Sequence, residues 1–368
     1  MRAGHILRRS RMPNPTPLEP PPRSWPWRPL LPPMLAVVIC VIVGVGALAA
    51  LGYPAGEVLE AVWSKVVWHR DPALRVVAWA NVLQYATPIL LTGLAVTVAF
   101  RASVWNIGAQ GQYLAGAIAG NLIGAFVGTA AGVTIPILLL ASIVAGALVA
   151  MIAAVLDWWR KVPVVLSTLL LNFIVIEVLR YLIVGPMRDP GAIVRTRELL
   201  PNAQLPVIGE MRLGPGIFFA LAAAALVWLI LRQTTFGFRL RVVGENPIAA
   251  RFAGISVARV SLATLALSGA LAGLAGGLEI CGVRHELVFS DADSGYGFTG
   301  IAVALLGRLN PLGVVLAALF FALLRACFVV LEIEVRVPSV TGMALQGLVI
   351  VLMLVLTQPT MMAKLRRK

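Results

Sequence analysis

Residues 133–156 read VTIPILLLASIVAGALVAMIAAVL, and this run contains no charged side chain. As an α-helix it is long enough to cross the roughly 30 Å hydrocarbon core of a bilayer. Apolar and polar residues do not alternate along it, as they would in the strands of a membrane β-barrel. The run therefore predicts a membrane-spanning helix, because a helix pairs all its backbone groups within its own segment.

Composition extends this prediction to the whole chain of 368 residues. The chain is 60% hydrophobic and only 12% charged, with a mean hydropathy of +0.92. An ordinary soluble domain has about 25% charged residues, so this composition cannot provide a water-facing shell. We expect lipid to cover most of the surface and the fold class to be all-α and polytopic.

Nine apolar runs are long enough to cross a bilayer. They lie near residues 34–52, 77–100, 111–128, 133–156, 163–185, 214–232, 258–280, 311–333 and 341–357. A shorter run, 297–307, begins among Gly295, Gly297 and Gly300 and predicts a half-helix or a tilted short span enclosed by protein. Counting it gives about ten transmembrane helices, with both termini on one side.

The net charge of +14 fits this topology. With a cytosolic N-terminus, nineteen of the 30 basic residues fall in inner segments, in accordance with the positive-inside rule. The basic balance therefore needs no nucleic-acid partner. The predicted organisation is a disordered, basic, proline-rich cytosolic arm (1–33), a transmembrane domain (34–357) and a basic cytosolic tail (358–368).

Catalytic and cofactor motifs are missing from the sequence. There is no G-x-x-x-x-G-K-[ST] phosphate loop, so we expect no nucleotide site on this chain. The histidines and cysteines have no metal-ligand spacing. We therefore expect a protein that is not an enzyme and that binds no cofactor itself.

Small residues indicate close helix packing. Glycines recur at every fourth position at 116, 120, 124 and 128, and again at 269, 273 and 277. Such repeats let helix backbones approach closely in lipid, where no hydrophobic drive pairs the helices. This pattern predicts contacts inside the bundle and carries no information about a solute.

Polar side chains within the apolar runs are costly to bury unless they are paired. Asn81 and Gln84 lie in the second run, and Thr168 and Asn172 share one face of the fifth. Each is either a helix–helix hydrogen bond or part of a translocation path, and the sequence leaves both interpretations open.

A short helix is predicted in the loop 235–255, which the topology places in the cytosol. Asn246 suits the N-cap, Pro247 the first helical position and Gly254 the left-handed position after the helix. A short apolar helix exposed there is typical of an interaction surface. The alternative is an interfacial helix lying on lipid.

This loop resembles the cytosolic coupling region of bacterial ABC importer permeases, in the group that includes ribose, branched-chain amino acid and nucleoside systems. The segments 100–112 (FRASVWNIGAQGQ), 163–173 (PVVLSTLLLNF) and 266–277 (ALSGALAGLAGG) also resemble that family. The first is closest to the nucleoside-type branch, although Gln110 stands where that branch usually has Glu. Likewise Pro163 and Val164 stand where it usually begins the second segment with Glu.

The resemblance implies a machine of two permease subunits, two ABC ATPase subunits and an extracytoplasmic substrate-binding protein, located in the cytoplasmic (inner) membrane. ATP would bind to the partner ATPase, and the second permease would be a sister chain. The predicted ATPase-docking residues are Glu245, Asn246, Pro247, Ala249, Ala250 and Gly254. The predicted translocation path takes in Asn106 from the family segment, together with Asn81, Gln84, Thr168 and Asn172.

The expected solute is a nucleoside, and a simple sugar is the alternative. Two other classes compete with an ABC permease. An ion-coupled secondary transporter would need paired acids or a broken helix at mid-membrane, whereas Glu177 and Glu279 lie near the ends of predicted spans. A membrane scaffold or assembly factor would need no exposed docking helix.

Overall fold

A computed structural model of the chain describes residues 31–357 except 192, 208 and 210–213. Within these ranges β-pairing is limited to two isolated bridges. The helices are α1 (Leu31–Ala50), α2 (Ala55–Val62), α3 (Pro72–Arg101), α4 (Ala109–Phe126), α5 (Ala131–Arg160), α6 (Val164–Val184), α7 (Gly216–Gln233), α8 (Thr235–Glu245), α9 (Pro247–Phe252), α10 (Val257–Glu279), α11 (Tyr296–Leu306), α12 (Pro311–Glu334) and α13 (Ser339–Thr357). Nearly all of the predicted arm and the whole predicted tail lie outside the described residues.

Each predicted apolar run overlaps one of these helices. By length and composition, six helical segments can cross a membrane: α3, α5, α6, α7, α12 and the segment Val257–Arg284 that contains α10. The chain is therefore a helical, multi-pass membrane protein, as its composition predicts. The count of about ten crossings stays a prediction.

The outer surface of α5 shows why lipid must surround the bundle. Leu140, Val144, Leu148 and Ile152 recur every fourth residue, so they lie on one face of the helix, and each is about half exposed. A continuous apolar stripe of this kind would be unfavourable in water. It matches the hydrocarbon core of a bilayer.

Helix α3 forms the centre of the bundle. Every residue from Ala86 to Phe100 is buried, and α7, α10, α11 and α12 pack around it. Around the other face of α10, helices α4 and α5 approach through glycines. A Cβ on Gly116 would meet the backbone of Gly273, and a Cβ on Gly273 would meet the backbone of Ser142 in α5. This arrangement confirms the close packing predicted from the glycine repeats.

Helix α11 is a short helix that begins inside the bundle, as predicted for residues 297–307. Its first turn lies against the first turn of α4. The side chain of Gln110 accepts a hydrogen bond from the Gly297 N–H (2.9 Å) and donates one to Ser294 Oγ (3.2 Å). Two helix N-termini therefore meet around one amide inside the bundle.

The bundle has two chemically different ends. One, which we call the basic end, carries the junction of α3 with the loop before α12, where Arg101 Nε donates to the Leu309 carbonyl (2.8 Å). The other, the cap end, is covered by the chain after α6. There Leu199 N–H donates to the His285 carbonyl (2.8 Å) and Leu200 N–H to that of Gly124 (2.9 Å). Arg195 closes this cap through an ion pair with Glu286 (2.6 Å).

Candidate docking surface and solute cavity

The predicted short helix is present at the basic end as α9. The Asn246 side chain accepts hydrogen bonds from the N–H groups of Ile248 and Ala249, both at 3.0 Å. Pro247 occupies the first helical position, where its missing N–H costs nothing. Gly254 follows the helix with a φ of +76°, a left-handed conformation that favours glycine. The boundaries predicted from these residues are therefore confirmed.

The exposed surface of α9 differs from the predicted docking set in one position. Five of the six predicted residues are exposed, but Ala250 is completely buried within the chain. Ala250 therefore cannot contact a partner in this conformation and instead packs α9 onto the bundle. The most exposed apolar side chains are Phe252 (90% exposed) and Ile248 (66%), which were not among the predicted docking residues.

Helix α8 joins α9 rigidly to the centre of the bundle. Ser103 Oγ, just after α3, donates to the Gly244 carbonyl (2.6 Å), and a Cβ on Gly244 would meet the backbone of Arg101. Leu240 and Val243 on the same helix are buried. The backbone of α8 therefore contacts the end of α3 directly, with no side chain between the two.

Three of the predicted path residues meet in one buried network. Asn106 Nδ2 donates to Gln112 Oε1 (3.0 Å) and to Ser268 Oγ (2.9 Å). Asn172 accepts from the Gly111 N–H (2.8 Å) and donates to the Ile107 carbonyl (2.9 Å). Thr168 Oγ1 accepts from the Ile107 N–H (3.2 Å). The network connects α4, α6 and α10 through the loop before α4.

This geometry favours a scaffold role for Asn106, Thr168 and Asn172. In this conformation all three are completely buried and their polar groups bond to other parts of the chain, which is the first of the two interpretations that the sequence leaves open. Asn81 is exposed and Gln84 is half-buried on α3, away from this network. A place on the translocation path stays a prediction for these two residues.

Replacing Asn172 by leucine should destabilise the protein. The change leaves the Gly111 N–H and the Ile107 carbonyl buried without this partner, at about 1–3 kcal/mol for each unsatisfied group. We expect a lower midpoint of thermal unfolding in detergent, measured by loss of the monodisperse gel-filtration peak. Asn81→Ala is the control, because Asn81 is exposed. Equal midpoints for the two variants would contradict the scaffold role.

A cavity of about 330 Å³, lined by both apolar and polar residues, lies at the cap end between the segment before α11 and helices α12 and α13. Its volume lies within the range of small-molecule sites. One aromatic side chain, Phe328, and several polar groups line it, among them Arg284, Asp293, Ser294, Arg325 and Gln346. An aromatic face beside hydrogen-bonding groups suits a flat or ring-shaped polar solute.

The two arginines of the cavity differ in their partners. Arg284 lies 3.5 Å from Glu279 and 3.6 Å from Asp291, so its charge is balanced within the protein. Arg325 is on α12, and its buried Nε has no hydrogen-bond partner within the described residues. An unpaired polar atom at this depth marks a functional position by default. Arg325 is therefore an arginine of the cavity lining whose Nε lacks a partner within the described residues.

The sequence contains weak signals for the residues that its analysis missed. Arg325 is a charge within an apolar run, which is a recognised indicator of function. Phe328 and Gln346 line the same cavity only because α12 and α13 pack together, so no local pattern identifies them. No group of three His, Cys, Asp or Glu side chains that could hold a metal ion occurs in the part of the chain that the structure describes.

An apolar helical bundle with a cavity at one end and an exposed short helix at the other is compatible with a membrane permease. The chain belongs to the family described as branched-chain amino acid transport system / permease component, which matches residues 78–356. It is thus an ABC transporter permease, a transport protein and not an enzyme. This membership excludes the ion-coupled transporter and the scaffold as classes.

Relatives with named activities cover most of the chain. The guanosine ABC transporter permease protein NupP of Bacillus subtilis is 33% identical over 84% of this chain and 88% of its own length. A glucose ABC transporter permease protein of Haloferax volcanii is also 33% identical, over 88% and 86%. The nucleoside ABC transporter permease protein NupB of Lactococcus lactis is 29% identical over 81% and 83%.

Proposed function

We propose that the chain forms the translocation path of an ABC importer for nucleosides. The observation that carries the proposal is the cap-end cavity, which Phe328, Gln346 and Arg325 line together. A nucleobase can stack on the ring of Phe328 while its edge and the ribose hydroxyls bond to the polar groups. The guanosine and nucleoside permeases among the relatives support this solute class.

The proposed machine contains this chain, a sister permease, two ATPase subunits and an extracytoplasmic binding protein. ATP binds to the ATPase subunits and not to this chain. The sequence assigns nineteen of the 30 basic residues to inner segments, and those of them that the structure describes lie at the basic end, which supports placing that end in the cytosol under the positive-inside rule. About ten helices then cross, both termini are cytosolic, and α9 is the coupling helix on which the ATPase docks.

Coupling follows from the attachment of α9. ATP binding draws the two ATPases together, and α9 moves with the subunit on which it docks. The contacts of Gly244 and Ser103 pass this motion to α3, so the bundle rocks as rigid bodies between two states. The cap-end cavity is the site that such rocking would close toward the outside and open toward the cytosol.

A simple sugar is the second candidate solute. The glucose permease of Haloferax volcanii supports it at the same identity as the guanosine permease. Sugars also stack on an aromatic ring and bond to amides and arginines. Competition distinguishes the two candidates: cells that express the complete importer should take up labelled guanosine, excess nucleosides should reduce this uptake, and excess glucose should not. Inhibition by glucose alone would overturn the nucleoside assignment.

Replacing Phe328 by alanine should raise the guanosine concentration at which uptake is half-maximal. Loss of a stacked base costs about 1–3 kcal/mol, so we expect the apparent KM to rise roughly tenfold or more. Phe328→Trp should restore most of the affinity, because it keeps an aromatic face. Ile333→Ala on the same helix is the control, since Ile333 is 70% exposed and outside the cavity. An unchanged KM for Phe328→Ala would remove Phe328 from the site.

A further inference from the structure

The basic end contains a second cavity, of about 390 Å³, that the transport cycle described above does not use. Three guanidinium groups line it: Arg101 at the end of α3, Arg232 on α7 and Arg241 on α8. Asn310 and Pro311, at the N-terminus of α12, complete it. Three cations and the positive, N-terminal end of the dipole of the 24-residue helix α12 therefore border this one cavity.

No carboxylate within the described residues forms an ion pair with any of these three arginines. Arg232 and Arg241 are close enough to Arg101 for their like charges to act on it. Arg101 is held in place because its Nε donates to the Leu309 carbonyl (2.8 Å), which leaves its two terminal nitrogens for a ligand. Such a cluster of like charges is unfavourable unless an anion neutralises it.

The position of the cavity relative to the bilayer indicates where this anion comes from. Trp228 lines the cavity, one helical turn before Arg232, whose guanidinium lies 5.6 Å from the indole ring. Tryptophan is typical of the level of lipid headgroups, and basic pockets between membrane helices bind anionic headgroups. The arginines therefore lie at the depth of the headgroup phosphates, at the ends of spans α3, α7 and α12.

We propose that this cavity binds the phosphate of an anionic phospholipid headgroup, held by Arg101, Arg232 and Arg241 and by the N-terminus of α12. Arg241 belongs to α8, which leads into the docking helix α9, so a bound headgroup would join α8 to the ends of α3, α7 and α12. The inference goes beyond the proposed function, since it depends neither on the transported solute nor on ATPase docking.

The test uses the full-length protein in nanodiscs that contain either phosphatidylcholine alone or phosphatidylcholine with phosphatidylglycerol. Native mass spectrometry then counts the lipids that remain bound. We expect selective retention of phosphatidylglycerol and a roughly thirtyfold loss of its affinity in the double variant Arg232→Gln/Arg241→Gln, since each juxtamembrane cation contributes about fivefold. Arg101 is kept in this variant to preserve its bond to Leu309.

The matched control is Arg160→Gln/Arg259→Gln, which removes two exposed positive charges outside the cavity. Its retention of phosphatidylglycerol should stay within about twofold of the unmodified protein, and Arg232→Lys/Arg241→Lys should recover most of the lost binding. An equal loss in the control would overturn the site. If the arginines bind inorganic phosphate but show no preference for phosphatidylglycerol, the anion is not a lipid headgroup and the proposal is overturned. If phosphatidylglycerol is retained only when the ATPase is present, the arginines belong to the ATPase interface and the proposal is likewise overturned.

Discussion

Replacing Phe252 by aspartate is expected to reduce solute uptake at least tenfold without reducing the amount of chain in the membrane. Phe252 is 90% exposed on α9, so the change disturbs no packing within the chain. In the proposed complex this ring enters the ATPase cleft, and truncating such an anchor costs about 2 kcal/mol or more of binding free energy. The measurements are guanosine uptake by cells and co-purification of the ATPase with the permease in mild detergent.

The control for this variant is Ala258→Asp, at the same end of the bundle. Ala258 is exposed in the first turn of α10, where a negative charge is compatible with the helix dipole. It should leave both uptake and co-purification unchanged. If the ATPase still co-purifies in normal amount with the Phe252→Asp variant and guanosine uptake is normal, α9 is not the docking helix.

Replacing Gly273 by leucine is expected to abolish correct folding. The backbone of α5, at Ser142 and Gly146, occupies the position where its Cβ would lie, and a helix backbone cannot move aside as a flexible side chain can. Overpacking a dense interior typically costs about 1–3 kcal/mol, and a clash with a helix backbone should exceed that range. We expect the monodisperse gel-filtration peak to disappear and the chain to be degraded in cells.

The matched control is Gly347→Leu, in α13. Nothing lies within 4 Å of a Cβ at this position, so the leucine has open space and improves helix propensity. A normal gel-filtration peak for Gly347→Leu and none for Gly273→Leu would confirm that the effect comes from the contact between helices. Normal peaks for both would show that α5 and α10 do not pack as described.

Much of the fold could be predicted because its determinants are local. Apolar length predicts each long helix, glycine spacing predicts close helix contacts inside the bundle, and the order Asn246–Pro247 predicts the start of α9. The number of membrane crossings was harder to predict from the sequence, since α4 and α11 begin inside the bundle and no local pattern defines their depth. The position of Gln110 between these two helices depends on contacts distant in sequence.

For the candidate functional residues, too, local sequence predicts some features and the packing of the helices decides the others. The exposure of Phe252 and the burial of Ala250 depend on how α9 lies against the bundle, which residue type alone cannot specify. Asn172 was recognised as a polar group that needs partners, and Asn106 was named only from the family segment. Asn106 bonds to Gln112 and Ser268, and Asn172 bonds to backbone groups of another segment. The sequence predicted the need for hydrogen bonds and could not indicate whether protein or solute supplies them.

The most direct test of the proposed function is uptake of labelled guanosine by proteoliposomes that contain the chain with its sister permease and ATPase. The proposal predicts accumulation that requires both ATP and the substrate-binding protein on the opposite side. Dissipating proton and sodium gradients should not change it, and a non-hydrolysable ATP analogue should stop it. Guanosine accumulation that follows an ion gradient without ATP, or ATP-driven accumulation of glucose without guanosine, would contradict the proposal.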